Sequence, residues 1–539
     1  MGLSGLSTDR TPWVWLLAIA GALLYIPFIG GVHLFDWDEI NFAEISREMI
    51  QTGDYLNIQV NYQPFFEKPP FFFWLQVACM KLFGINEFAA RLPNALAGIG
   101  ILVLLFKVGS RWIDKRFGLW WALSYMGSIL PVLYHKSGII DPWFNLFIFS
   151  GIVAWVEGSR NSESGFKWYL LSGVMSGMAI LTKGPVGPLL IGLTIFIMRL
   201  WSRDKKYLNY SGVGAFILGN ILIAGLWFGV NWISNGPDFI MAFLKYQAEL
   251  LTESVAGHKG FPGYHFVVAL FGVFPASLFA LAGFRRKSAD SNPDIYQLRL
   301  LMIILLIVVL VLFSIVQSKI VHYSSLSYYP ISFLSAWTIS RVLDGKHKWN
   351  AWHLALCISV VTILCSVVAL VPLIGLRLDW MRTTFSFDDF TKKSMEADVV
   401  WSTVDFVPAF WIVLVISTFL VLWRRQKQTY ALISLFAGTA LFVNIGLIFF
   451  IGKIELYSQR AAVEFCASKA GQQVEIKTIG YKSYLPYFYA KKPVPDSTIS
   501  METIPQFFIL KEDKRKRLEE HPEWKVLDEK NGFIFLEQK

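Results

Sequence analysis

Long apolar runs separated by short polar loops recur along this chain, near 13–31, 93–109, 118–134, 142–158, 168–182, 185–201, 211–234, 263–284, 300–317, 324–342, 351–376, 405–423 and 429–451. Each is long enough to carry a helix across about 30 Å of hydrocarbon, and together they predict ~13 transmembrane helices. The run Phe71–Phe83 is also apolar, but it is short, follows Pro69-Pro70 and carries Lys81, a pattern that predicts a helix lying at the membrane interface. Beyond residue 451 the pattern changes to a polar tail. Its hydrophobic periodicity predicts a small α/β unit: a helix over 456–470, strands over 474–480 and 506–510, a charged helix over 511–520, and a hairpin over 524–536 turning at Asn531-Gly532. The expected organisation is therefore an all-α polytopic membrane domain over 1–451, with a first outer loop at 32–92, and a soluble domain over 452–539.

Loop charge orients this layout. With Phe71–Phe83 left out of the count, the basic loops around Arg111, Arg160, Arg203, Arg285, Arg341 and Arg424 all fall on one side, which the positive-inside rule makes cytoplasmic. The N-terminus is then cytoplasmic, and its first apolar run is read as a retained span with no small-x-small cleavage site. The segments 36–68, 135–141, 235–260 and 318–322, Lys183 and the C-terminal domain all face outward. The loop 377–404 also falls outside despite its basic residues, because long loops obey the charge rule weakly.

Composition agrees with a membrane protein. Hydrophobic residues make up 55% of the 539 and charged residues 16%, with a mean hydropathy of +0.48. The net charge of +10 is spread through short loops instead of one basic face, which argues against nucleic-acid binding. Cys79, Cys357 and Cys365 lie in apolar runs, which leaves Cys466 with no outer partner for a disulfide.

Charge beside a bilayer is costly unless it is solvated, paired or used, and two outer clusters draw the eye for that reason. In Asp36-Trp37-Asp38-Glu39, Asp36 has the residue type of a helix cap, whereas Asp38 and Glu39 are adjacent acids that a cap does not explain. A carboxylate in a partly desolvated outer cleft is suited to general-base work. In Phe66-Glu67-Lys68-Pro69-Pro70, a rigid turn presents an anion and a cation. Lys68 reads either as a point charge for a phosphate or as one half of an ion pair.

These residues sit in a longer pattern. Asp38-Glu39, Ala43-Glu44-Ile45-Ser46-Arg47-Glu48-Met49, Gly53-Asp54, Phe66-Glu67-Lys68-Pro69, Leu82-Phe83-Gly84 and Arg91 follow one another through the first outer loop. Further on come Asp141-Pro142, Leu181-Thr182-Lys183-Gly184-Pro185, His258-Lys259 and Ser318-Lys319-Ile320-Val321-His322-Tyr323. In order and spacing the chain resembles the ArnT-like, protein-mannosyltransferase-related GT-C membrane glycosyltransferases.

The resemblance implies an inverting enzyme that takes a sugar from a polyprenyl-phosphate carrier, of the undecaprenyl type, and transfers it outside the cytoplasmic membrane. The acceptor implied is a lipid or glycan, lipid A-like, with a protein hydroxyl as the alternative. By position, Asp38 matches the family's catalytic aspartate and Asp141 its second acid, with Glu39 beside them. Lys68 matches the phosphate-binding lysine, and Lys183, Lys259 and Lys319 are further cations for the carrier phosphate; Tyr323 lies in the segment that lines the donor cavity. Glu67 and His258 match positions that hold a zinc ion in some relatives, which makes a divalent metal the cofactor to look for. His322 is read as a wall residue or a ligand. The chain departs from the family's Lys-Leu-Pro-x-Tyr-x-Leu-Pro pattern at Lys319 to Leu326, where both prolines are missing, so sugar and acceptor identity are not carried over. A transporter would show inverted repeats with broken helices, and none is found; a carrier-lipid flippase would need polar groups along a crossing path.

Overall fold

The computed structural model describes residues 11–160, 164–207, 209–252, 260–284, 293–495 and 504–538. His258 and Lys259, and the basic residues Arg285, Arg286 and Lys287, lie outside the described residues. The chain is mainly helical. It opens with α1 (Thr11–Tyr25), then α2 (Asp38–Thr52), a two-strand hairpin of β1 (Gln59–Val60) and β2 (Gln63–Pro64), α3 (Phe71–Phe83) and α4 (Glu87–Trp112). There follow α5 (Lys115–Met126), α6 (Ile129–Tyr134), α7 (Asp141–Arg160), α8 (Gly165–Lys183) and α9 (Val186–Ser202). The next group is α10 (Tyr210–Asn220), α11 (Leu226–Asn235), α12 (Asp238–Thr252), α13 (Tyr264–Gly272), α14 (Ala276–Gly283) and α15 (Pro293–Ile315). A 3-10 turn at Val321–Ser327 leads into α16 (Tyr328–Leu343), which is followed by α17 (Ala351–Gly375), α18 (Leu378–Thr384), α19 (Asp389–Ser394), α20 (Val407–Arg424) and α21 (Gln428–Ser458).

Two expected spans fold as broken helices, and a third carries a π-helical turn without a break. The run 211–234 is α10 and α11 joined by a π-helical turn at Ile221–Gly225. The run 263–284 is α13 and α14, bent by 114°, with Pro275 just before α14, where its missing N–H leaves no donor for a continuous helix. Gly127 and Ser128 likewise separate α5 from α6. Among the described residues, six helices are long and apolar enough to cross a membrane by themselves, or seven if α13 and α14 form one span. Small residues allow close helix contact: a Cβ on Gly173 of α8 would stand 2.2 Å from the Phe216 carbonyl oxygen of α10.

Helix α2 is the exception to simple amphipathic patterning. Its apolar positions are only roughly periodic because nearly the whole helix is buried, Glu44, Arg47 and Glu48 included. It packs against α3 on one side and the short helix α23 (Leu485–Tyr489) of the tail on the other. The buried charge is matched internally, with Arg47 donating to both Glu44 oxygens at 2.7 Å.

The tail forms the sheet expected of it. α22 (Arg460–Ser468) precedes β3 (Glu475–Ile479), β4 (Gln506–Lys511), β5 (Trp524–Lys530) and β6 (Phe533–Gln538) in the order β3-β4-β6-β5; β3 and β4 are parallel and the other pairs antiparallel. Alternation puts Phe507, Ile509, Phe533 and Phe535 on the face toward the main core, where Phe535 stacks on Phe465 of α22 at 4.4 Å. Phe508, Leu510, Ile534 and Leu536 cover the other face with Leu518 and Trp524. Two expectations shift. The charged segment 511–520 is one 3-10 turn at Glu512–Lys514 and α24 (Arg517–Glu520), with Lys511 still in β4, where it pairs with Phe533. Helix α21 runs through residue 451 to Ser458 without a break, so α22 starts only at Arg460.

Candidate active site

Several helix ends meet at one level of the bundle. Asp38 is the first residue of α2 and Asp141 the first of α7; Lys183 is the last residue of α8, Lys68 stands three residues before α3, and His322 follows the end of α15. Acids at helix N-termini are favoured by the helix dipole. Asp141 is buried, with 2% of its surface exposed, and its Oδ1 accepts a 2.6 Å hydrogen bond from Lys183 Nζ. Its other oxygen has no hydrogen-bond partner and lies 3.7 Å from His322 Nε2. The same imidazole nitrogen is 3.8 Å from Oδ2 of the half-exposed Asp38. One histidine therefore stands between the two acids. Its turn is tied to α7 by the Asn145 amide, which donates to Ser325 Oγ at 2.7 Å.

The cations line one side of this group. Lys183 Nζ lies 4.6 Å from the Tyr323 ring centre and 5.7 Å from that of Phe144, so a single ammonium links Asp141 to the aromatic wall. Lys68 Nζ stands 5.1 Å from the ring of Tyr246 on α12. Protein crowds the Lys68 ammonium and pushes its pKa down, against the upward pull of Glu67 and Asp38. Burial, with neighbouring Glu67, raises the Tyr246 phenol, and burial, with Asp141, raises that of Tyr323. Burial also pushes His322 below the ordinary histidine value, although Asp141 pulls the other way.

Two expected site residues are engaged elsewhere. Burial alone would raise the Glu39 carboxyl, but Arg91 and two backbone N–H groups outweigh it and hold it low. Glu39 Oε1 accepts from Arg91 Nε at 2.9 Å and Gly138 N at 2.6 Å; Oε2 accepts from Arg91 Nη2 at 2.7 Å and Phe35 N at 3.0 Å. Arg91 also donates to the carbonyls of Ile29, Val32 and His33, so this pair anchors the loop that leads to Asp38. Lys319 turns back onto the end of α15, where its ammonium donates to the carbonyls of Phe313 at 3.1 Å, Ser314 at 2.7 Å and Val316. Among the described residues, no three His, Cys, Asp or Glu side chains are grouped to hold a metal ion, and Glu67 lies beside the Tyr246 phenol.

A cavity of about 530 Å³ is lined by Asp38 and not by Lys68 or Lys183. Asp38 and His322 stand at its polar end, and Phe28, Leu133, Leu447 and Ile451 form part of its apolar wall. Asp38 thus lines this cavity, with Asp36, Glu39, Arg91 and Lys136 among its polar residues, and also lies near Lys68. Sequence reasoning passed over Tyr246 and Tyr134. Both lie in or beside segments expected to face outward, and only folding brings Tyr134 to 6.2 Å from the His322 ring.

The same arrangement of helices is found in a known protein. Over 98% of both chains the structure superposes on ArnT from Cupriavidus metallidurans bound to undecaprenyl phosphate, with a TM-score of 0.77 at 20% identity. This chain has the ArnT-like GT-C fold. The model of the dolichyl-phosphate-mannose-protein mannosyltransferase family matches residues 67–228. An undecaprenyl phosphate-alpha-4-amino-4-deoxy-L-arabinose arabinosyl transferase of Aeromonas hydrophila is 27% identical over 66% of this chain and 66% of its own length. An uncharacterized protein of Aquifex aeolicus is 30% identical over 43% of this chain and 52% of its own. The chain thus spans about half to two thirds of the curated relatives it matches. The ArnT-like resemblance read from the motifs holds, and the protein is a multi-pass inner-membrane protein.

Proposed function

We propose that this protein is an inverting glycosyltransferase that moves a sugar from a polyprenyl-phosphate carrier to a lipid or glycan acceptor, lipid A-like, on the outer face of the cytoplasmic membrane. The observation that carries the reading is the convergence of Asp38, Asp141 and His322 beside Lys183 and Lys68 at one end of the bundle. The Aeromonas relative, by its name, handles an undecaprenyl-phosphate-linked aminopentose, and this supports the carrier class.

In this mechanism the acceptor hydroxyl oxygen attacks the anomeric carbon from the face opposite the phosphate. The new glycosidic C–O bond forms as the bond from the anomeric carbon to the phosphate oxygen breaks. Asp38 takes the hydroxyl proton, and the carrier leaves as polyprenyl phosphate with the bonding electron pair. Lys68 and Lys183 neutralise the charge growing on that phosphate, beside the buried Asp141. Asp141 orients Lys183, and His322 keeps the two acids apart. The apolar chamber beyond Asp38 suits the acyl part of a lipid acceptor.

The test is mass analysis of envelope glycolipids and glycoproteins from cells with and without this protein. A glycolipid that gains one sugar only when the protein is present supports the proposal. A change confined to glycoproteins replaces the acceptor with a protein hydroxyl, and no change in either class overturns the reading.

A further inference from the structure

Asp38 is aimed by a strained residue. Trp37, immediately before it, has φ 77° and ψ −114°, a left-handed backbone that a bulky side chain adopts only under constraint from its surroundings. No side chain caps α2. Local bonds hold part of the geometry: Trp37 N donates to Asp36 Oδ1 at 2.9 Å, and Glu39 with Arg91 ties the loop from Ile29 to Phe35. The remaining constraint comes from more than 400 residues away. Gln459, between α21 and α22, accepts from Asp36 N at 3.2 Å and donates to Leu34 O at 2.7 Å. Tyr484 N donates to Asp36 Oδ1 at 3.0 Å, and the Tyr489 hydroxyl accepts from Leu34 N at 2.7 Å. His33 is bonded to Glu455 at 2.6 Å, and Arg460 holds the other oxygen of that glutamate at 2.6 Å. Every residue from His33 to Asp36 except Phe35 is thus fastened to the C-terminal part of the chain, and Phe35 is bonded to Glu39.

We propose that the C-terminal segment is a positioning element of the active centre: Gln459, with the Asp36 contact to Tyr484, holds Trp37 in its strained conformation and thereby sets where the Asp38 carboxylate points. This rests on the reading of Asp38 as the base. Gln459 touches neither His322 nor Asp141; it acts through the 34–37 backbone. Its amide is well suited to that post, because one group accepts from and the other donates to backbone positions two residues apart, which fixes the loop in both directions. Loss of the clamp lets Trp37 relax to an ordinary backbone conformation and moves Asp38 away from the attacking hydroxyl, a displacement that costs rate far more than binding.

The experiment uses the full chain in native membranes and the sugar donor found by the glycolipid analysis. Gln459→Leu is expected to lower kcat by about 10- to 100-fold while the donor KM stays within about twofold, with undecaprenyl phosphate affinity and thermal midpoint close to wild type. Gln459→Glu, which keeps the acceptor for Asp36 N and loses the donor to Leu34 O, is expected to recover only part of the rate. Lys530→Ala, which breaks the remote Lys530–Glu464 pair of the tail, is the control and leaves kcat unchanged. Unchanged kcat in Gln459→Leu overturns the proposal, as does a loss that falls equally on undecaprenyl phosphate binding and thermal midpoint. Asp38→Asn run in parallel separates the two ideas: if it is fully active the base reading fails, and if it is inactive while Gln459→Leu is normal, only the positioning role fails. In an Asp38→Asn background, Gln459→Leu is expected to cost little more.

Discussion

Asp141 and Lys183 are bonded across 2.6 Å, joining the first residue of α7 to the last residue of α8. The two helices run antiparallel and pack along their length, so residues 42 positions apart in sequence close into one ion pair at the same end of the bundle. The acid is buried and the lysine is mostly so, which makes the pair costly to break from one side.

Removing only the cation exposes that cost. Lys183→Met is expected to destabilise the protein by about 1–3 kcal/mol, at the low end for a buried pair because the lysine keeps some solvent contact. Lys183→Met with Asp141→Asn is expected to regain most of the thermal midpoint and none of the transfer rate. A midpoint that does not recover in the double variant refutes the pairing as the source of the loss.

Asp38 and Lys68 are expected to fail in different ways. Asp38→Asn should lower the transfer rate by roughly 10²–10⁴-fold while undecaprenyl phosphate binds as before, measured by transfer kinetics and by titration of the carrier.

Lys68→Ala, by contrast, is expected to weaken carrier binding by about tenfold, the effect of one lost charge-assisted contact. It should leave the thermal midpoint near wild type, because Lys68 meets a ring and its neighbouring carboxylates without closing a buried pair. Unchanged carrier affinity would remove Lys68 from the phosphate site.

A pH effect is expected at Glu48, whose carboxyl is pushed up to about 8 by burial and then by its neighbour Glu44. The unfolded chain ionises this group near 4.5, while the folded chain keeps it protonated up to about 8, so the folded state binds the extra proton in between. Stability contributed here therefore falls as pH rises from about 4.5 to about 8 and levels off above. Glu48→Gln keeps an oxygen to accept from Tyr62 N, which now bonds Glu48 at 2.9 Å, and should raise the thermal midpoint at pH 8.5 more than at pH 5. Equal shifts at both values would show that the carboxyl does not titrate as described.

Much of the candidate centre was legible because its residues lie at polar breaks between apolar runs. Asp38, Lys68, Asp141, Lys183 and Tyr323 each stand at such a break, and the charge of the intervening loops placed them on one side before any contact was known. Glu39 and Lys319 stand at the same breaks and turn elsewhere, Glu39 to Arg91 and Lys319 to the carbonyls ending α15. Adjacent residues on a helix point about 100° apart, so Asp38 and Glu39 take different partners although both line the same cavity. The part of His322 was not readable either, since its meaning depends on two acids at 3.7 and 3.8 Å that come from distant helices.

Sequence alone determined the membrane class of this protein, the α/β tail with its Asn531-Gly532 hairpin, and that the charged residues of the candidate centre gather together. Those follow from local pattern, because hydrophobic length, strand alternation and loop charge are properties of neighbouring residues. Tertiary structure decided which charges face one another, that α2 is buried on nearly every side, and that Gln459 reaches back to the Asp38 loop. These depend on packing between segments hundreds of residues apart, where the cost of leaving a polar group unpaired selects the partner and no local signal records the choice.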